Sequence, residues 1–124
     1  MRTLAQHSLL EFYDCNPARL EHSRQVRELL CDSVLRGGGT IVKAVFHNFS
    51  PHGVSGVVVI TESHVTIHTW PEYNYAAVDI FSCSERLDHK AIRNQLKKAL
   101  CARRVTSKSI RRGVSLEKQL ARAH

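Results

Sequence analysis

The sequence predicts an α+β fold, a two-layer α/β sandwich in which a mainly antiparallel sheet carries two helices packed on one face. Three observations predict it. Residues 17–36 and 88–101 repeat their apolar side chains at three- and four-residue spacing, the signature of helices with one buried stripe. Around them lie β-branched, partly aromatic runs bounded by turn-forming residues. In the run 64–70, Val65, Ile67 and Thr69 share one side while His64, Thr66, His68 and Trp70 share the other, the alternation of a strand in a sheet covered on one face.

In chain order, residues 6–13 read as a first strand closed by Asp14-Cys15-Asn16-Pro17. Asn16 is a good N-cap and Pro17 suits the first helical position, so a helix is expected over 17–36, stopped by Gly37-Gly38-Gly39. Its inward stripe is Val26, Leu29, Leu30, Ser33 and Val34, with Arg19, Arg24, Arg27 and Glu28 outward. Residues 40–49 form the next strand, broken at Ser50-Pro51-His52-Gly53. Two strands, 57–60 and 65–70, are joined through Thr61-Glu62-Ser63-His64, and 75–83 follows as another. The second helix, 88–101, turns Ile92, Leu96, Ala99 and Leu100 inward and Lys90, Arg93, Lys97 and Lys98 outward. A last short strand is expected at 104–110, giving the order β-α-β-β-β-β-α with a final β in one domain, 1–124.

The chain has 124 residues and a formal net charge of +7, from 18 Lys plus Arg against 11 Asp plus Glu. At 43% apolar and 23% charged it has the composition of a folded protein, which excludes a disordered tail, a collagen-like repeat and a disulfide scaffold. The charge is uneven: residues 103–124 hold seven cations against Glu117 alone, and the first 102 residues are close to neutral. That basic segment has no aromatic residue, so it lacks the pattern of a nucleic-acid surface, and no nucleic-acid partner is expected. Cys15, Cys31, Cys83 and Cys101 are too scattered for a metal knuckle or a redox pair. No stretch resembles a signal peptide or a membrane span, so a cytoplasmic protein with reduced thiols and no membrane partner is expected.

Chemistry concentrates in residues 62–83. Pairing of 64–70 with 75–83 is expected to gather Ser63, His68 and Cys83 with Glu62 and Glu72 at one end of the sheet. Taken singly, each has an ordinary explanation: a serine in a turn, a hydrogen-bonded histidine, a small buried thiol. His64 and His68 have the spacing of a zinc-protease helix, but Val65-Thr66-Ile67 is strand-like and lacks the glutamate, so no metal is expected. A hydrolase triad of Ser63, His68 and Asp79 has its residue types but no Gly-x-Ser-x-Gly elbow around Ser63.

The run from Gly53-Val54-Ser55-Gly56 through Thr61-Glu62-Ser63-His64 and His68-Thr69-Trp70-Pro71-Glu72-Tyr73 to Ser82-Cys83 closely resembles the prokaryotic S-adenosylmethionine decarboxylase proenzymes. Glu11-Phe12-Tyr13-Asp14-Cys15 and Phe46-His47-Asn48-Phe49 extend the resemblance over almost the whole chain. It implies a proenzyme that cuts itself between Glu62 and Ser63 into 1–62 and 63–124. The Ser63 hydroxyl would attack the Glu62 carbonyl, and the resulting ester would break by β-elimination. Hydrolysis of the dehydroalanine then releases ammonia and leaves a covalently bound pyruvoyl group derived from Ser63. By the same resemblance, Ser55 and His68 relay protons in processing. The pyruvoyl group forms a Schiff base with the substrate amine and draws electrons as carbon dioxide leaves, while Cys83 returns a proton. Phe49, Val65, Trp70, Glu72 and His7 would bind the small-molecule substrate, Phe49 by stacking on adenine and Glu72 through the ribose hydroxyls.

Departures from the family pattern occur at Ala5-Gln6, Val65, Asn74, Ser82 and Ser84. None removes a group needed to form the pyruvoyl. They bear instead on the side-chain pocket, which alone separates S-adenosylmethionine from L-arginine or L-ornithine, the substrates of some relatives with this architecture. From another class, the basic C-terminal segment leaves a non-catalytic binding module as a distant alternative. The resemblance also implies a homodimer with helices outside and active sites near the interface, to which His7 is a candidate contributor.

Overall fold

Six strands and two helices, separated by short connections, make up the computed structural model, which describes residues 3–61, 63–83 and 85–114. The strands are β1 (Ala5–Tyr13), β2 (Ile41–Asn48), β3 (Val54–Ile60), β4 (Ser63–Trp70), β5 (Tyr75–Ser82) and β6 (Arg104–Arg112); the helices are α1 (Ser23–Arg36) and α2 (His89–Ala99). They form one sheet in the order β2-β3-β4-β5-β1-β6, antiparallel at every pairing. Both helices lie on one face and pack on each other, as the apolar stripes require.

The core is the space between those helices and the sheet. Val26, Leu30 and Val34 of α1 and Ile92 and Leu96 of α2 meet Leu10 and Phe12 of β1, Val58 of β3, Val65 and Ile67 of β4 and Val78 and Ile80 of β5, all nearly or fully buried. Along β4 and β5 burial alternates residue by residue, so one face of the sheet is core and the other is open. Gly56 belongs to the helix side: its cross-strand partner Phe46 lays its ring where any Cβ at 56 would stand.

The first helix begins later than its sequence signals suggest. Asn16 and Pro17 do start helical structure, with the Asn16 side chain accepting from the Ala18 N–H, but only as a 3-10 turn, Pro17–Arg19. Residues 20 and 21 are then claimed by distant partners. Leu20 is fully buried and its carbonyl accepts from Thr69 Oγ1 at 2.8 Å. The Glu21 carbonyl accepts from Asn48 Nδ2 at 2.6 Å, while Asn48 Oδ1 receives the Ser23 N–H at 2.7 Å. Arg19 is exposed, but on that 3-10 turn rather than on the helix. The second helix is shorter than 88–101 by its ends, Asp88 serving as N-cap to the Ala91 N–H. The last strand forms and carries much of the basic segment: β6 is an edge strand bearing Arg104, Lys108, Arg111 and Arg112, charges that discourage edge-to-edge pairing.

Candidate active site

Strands β4 and β5 are neighbours, as expected, but their antiparallel pairing scatters the residues expected at one end. Ser63 opens β4 and faces Ser82, so Cys83 follows directly; His68 instead faces Ala77, five residues farther along. At about 3.3 Å per residue that is roughly 16 Å of strand. Glu72, in a 3-10 turn Pro71–Tyr73, lies beyond His68. The expected gathering of Ser63, His68, Cys83 and Glu72 within one chain therefore does not occur, and Glu62 lies outside the described residues. The sheet's open face carries two separate constellations.

The first surrounds the start of β4. His64 stacks on Phe81 of β5 with ring centroids 5.5 Å apart and planes 6° apart. His7 of β1 meets the same ring edge-on at 5.3 Å, and the Arg112 guanidinium lies 5.7 Å from its centroid. Arg112 Nη1 stands 3.3 Å from His7 Nδ1, and His7 Nε2 is buried with no hydrogen-bond partner among the described residues. Cys83 is exposed and borders a cavity of about 180 Å³ lined by Thr3, Leu4, Gln6, Ser82 and Glu85. All four cysteines are thiols.

The second constellation sits at the far end of β4. Ser55 of β3 and His68 are cross-strand partners, and Ser55 Oγ lies 2.8 Å from His68 Nδ1. Trp70 stacks loosely on Tyr75 at 5.3 Å, and the next strand over brings His47, edge-on to Phe49 at 4.7 Å. Phe49 and Trp70 remain 51% and 39% exposed, unusual for large aromatics with nothing to cover. Glu72, in the 3-10 turn that follows Trp70, is exposed.

Val65 requires a correction. It is fully buried among the core residues, its side chain turned to the helices, so it does not line the open face. Only its backbone remains available to a ligand. The His64–His68 pair lies on one face of a strand, four residues or about 13 Å apart, too far to share an ion. Among the described residues no group of three or more His, Cys, Asp or Glu side chains is placed to hold a metal.

Two features were not singled out from the residues alone. Phe81 and Arg112 join His7 and His64 around one ring, an arrangement that follows from strand register, with His7 opposite both Phe81 and Ile110. The alternation of β4 and β5 does place His64 and Phe81 on the open face, and that was the available signal. Arg112 comes from a pairing 105 residues away in sequence, which no local pattern carries.

Against known families, residues 6–113 match the family model described as S-adenosylmethionine decarboxylase. The chain belongs to the S-adenosylmethionine decarboxylase family. Among curated relatives, the S-adenosylmethionine decarboxylase proenzyme of Thermotoga maritima is 49% identical over 105 residues, 85% of this chain and 81% of the relative. That of Clostridium tetani is 42% identical over 114 residues, 92% of this chain and 90% of the relative. The crystal structure of the adenosylmethionine decarboxylase from Aquifex aeolicus is similar with a TM-score of 0.86 at 30% identity, covering 94% of this chain and 97% of that one. As in that family, the fold is α+β, and no helix among the described residues is long and apolar enough to cross a membrane.

Proposed function

We propose that this chain is a self-processing, pyruvoyl-dependent decarboxylase that removes carbon dioxide from S-adenosylmethionine and so supplies an aminopropyl donor for polyamine synthesis. The observation that carries the reading is the position of Ser63. It begins β4 after a connection of only two residues and is registered between Ile60 and Ser82, with Cys83 next along β5. A break before residue 63 would therefore leave its new terminus held by strand pairing on both sides. The residues fit a pyruvoyl group at that terminus, a ketone that supplies an electron sink for loss of carbon dioxide. Cys83, the residue after Ser63's partner Ser82, would give a proton to the substrate carbon.

The far constellation supplies what an adenosyl substrate needs. Exposed Phe49 and Trp70 offer flat apolar surface to a purine, and Glu72 offers acceptors to a ribose diol. Ser55 and His68, already hydrogen-bonded, make a hydroxyl–imidazole pair able to move protons during self-cleavage. His7 offers its buried Nε2 to the substrate.

One chain cannot place both constellations on one substrate. The homodimer resolves this: a second copy laid on the open face, its strands running oppositely, sets the far end of its β4 over the near end of this one. Val45, Val59, Trp70 and Ile110, exposed on that face, provide the apolar surface to be covered. Four thiols suit a reducing, cytoplasmic setting.

The experiment is an intact-mass measurement of the purified full-length chain. Two fragments meeting at 62/63, the C-terminal one beginning with a ketone in place of serine, and a single uncut Ser63→Ala chain are expected. A wild-type chain that stays in one piece contradicts the proposal.

A further inference from the structure

The helix-facing side of the cleavage junction holds an imidazole that the reading above leaves unused. His89 is the first residue of α2 and is half-buried. Its Nδ1 lies 2.7 Å from Ser8 Oγ of β1, and its Nε2 lies 2.8 Å from Ser82 Oγ of β5. Ser8 and Ser82 are themselves buried. Burial pushes the imidazole pKa down; Asp88 opposes that shift and His7 adds to it. The ring is therefore neutral at pH 7, with one donor and one acceptor nitrogen, so one serine donates to it and it donates to the other.

Ser82 is the cross-strand partner of Ser63 and the residue before Cys83. Partners in an antiparallel pair share a face, with Cβ atoms about 5 Å apart. Val65 and Ile80, the next pair along, are fully buried against the helices, so Ser63 and Ser82 share the helix-facing side with His89. Apolar packing is incomplete there: a cavity of about 70 Å³ opens beside the junction, lined by Ile60, Thr61, Ser82, Arg86 and Leu87 among others. The Ser8–His89–Ser82 bridge joins β1 and β5 at this end of the sheet to the first turn of α2.

We propose that His89 is a positioning residue for self-cleavage: by clamping Ser82 to the first turn of α2 and to β1, it fixes the strand end against which Ser63 is aligned. The proposal rests on the reading that the chain cuts itself at 62/63. The imidazole acts through Ser82 and exchanges no proton with the reacting atoms.

The test uses the full-length chain with His89→Ala, His89→Gln, His89→Asn, Ser82→Ala and the His89→Ala/Ser82→Ala pair. Cutting is timed by intact mass at a temperature where circular dichroism shows each variant folded. The amide of Gln reaches where Nε2 stands, whereas that of Asn reaches only Nδ1. Gln is therefore expected to cut within about threefold of wild type, and Ala and Asn, both of which lose the bond to Ser82, about tenfold slower or more. The double variant is expected to be no slower than the slower single one, because both remove the same link. Equal rates in all variants overturn the proposal, as does a Gln variant as slow as the folded Ala variant or a double variant whose losses multiply. Should the Ala variant not fold, Asn cutting as fast as Gln overturns it. A wild-type chain that never cuts overturns the cleavage reading as well, and is recognised before any variant is compared.

Discussion

Two inactive variants, each broken at one end of β4, should restore each other. On the proposed reading, Ser63→Ala leaves the bond before residue 63 without its nucleophile, whereas His68→Ala keeps the nucleophile and loses the proton relay. Because Ser63 and His68 stand five residues apart on one strand, roughly 16 Å, a His68 that serves Ser63 must come from a second copy. Coexpressed in equal amounts, the two chains of the proposed homodimer should pair at random, so about half of the dimers should be mixed. In a mixed dimer the 62/63 junction of the His68→Ala chain would be served by the intact His68 of its partner, and the reverse site would lack both groups. Half of the His68→Ala chains, about a quarter of all chains, should then be cut, against a small residue when either variant is expressed alone. Different affinity tags on the two chains let intact mass assign each fragment to its parent. Absence of any cut in the mixture, with mixed dimers recovered by sequential tag capture, refutes the two-copy site. So does full cutting of His68→Ala alone.

Further outcomes follow from single contacts. Thr69→Val keeps shape but strips a buried hydroxyl that donates to the Leu20 carbonyl and accepts from the Val54 N–H, both at 2.8 Å, and should lower unfolding stability by about 1–3 kcal/mol; an unchanged urea midpoint contradicts it. Phe12→Ala, at a fully buried ring, should cost about 3–5 kcal/mol by the same measurement. Burial, with smaller help from Asp14 and Cys101, pushes the Cys15 thiol up from 9.0 to about 11, so its contribution to stability is whole below pH 9.0 and fades as pH rises toward about 11. Alkylation at pH 8 should therefore mark exposed Cys83 and Cys101 well before Cys15. His89 is shifted the opposite way: the unfolded chain binds its proton at 6.5 and the folded chain only below that, so stability falls as pH drops under 6.5. His89→Gln should flatten that part of the acid limb.

The layers and the covered face of the sheet were legible because burial writes itself as period: Val65, Ile67 and Thr69 alternate with His64, Thr66 and His68, and the core follows that alternation. Ends were less legible where distant groups decide them. Asn16 and Pro17 announce a helix correctly, yet Thr69 and Asn48, 49 and 27 residues from their carbonyl partners, hold residues 20–21 out of it. The site shows the same division. The five-residue separation of Ser63 and His68 along one strand was readable, whereas register alone sets Ser82 opposite Ser63 and Ser55 opposite His68. Val65 was misplaced because a residue near a reacting group in sequence projects, on a strand, to whichever face its parity dictates. The basic C-terminal segment likewise changes meaning once paired: Arg104 lies over the Tyr13 ring at 4.1 Å and Arg112 reaches His7 and Phe81, so part of the excess charge stands at the site.

The most direct test of the whole account is release of labelled carbon dioxide from carboxyl-labelled S-adenosylmethionine by chain shown to be cut at 62/63, with L-arginine and L-ornithine offered in parallel. Release from S-adenosylmethionine alone, abolished in Ser63→Ala, is the predicted result. Cut protein that leaves S-adenosylmethionine untouched, or that turns over one of the other two instead, contradicts it.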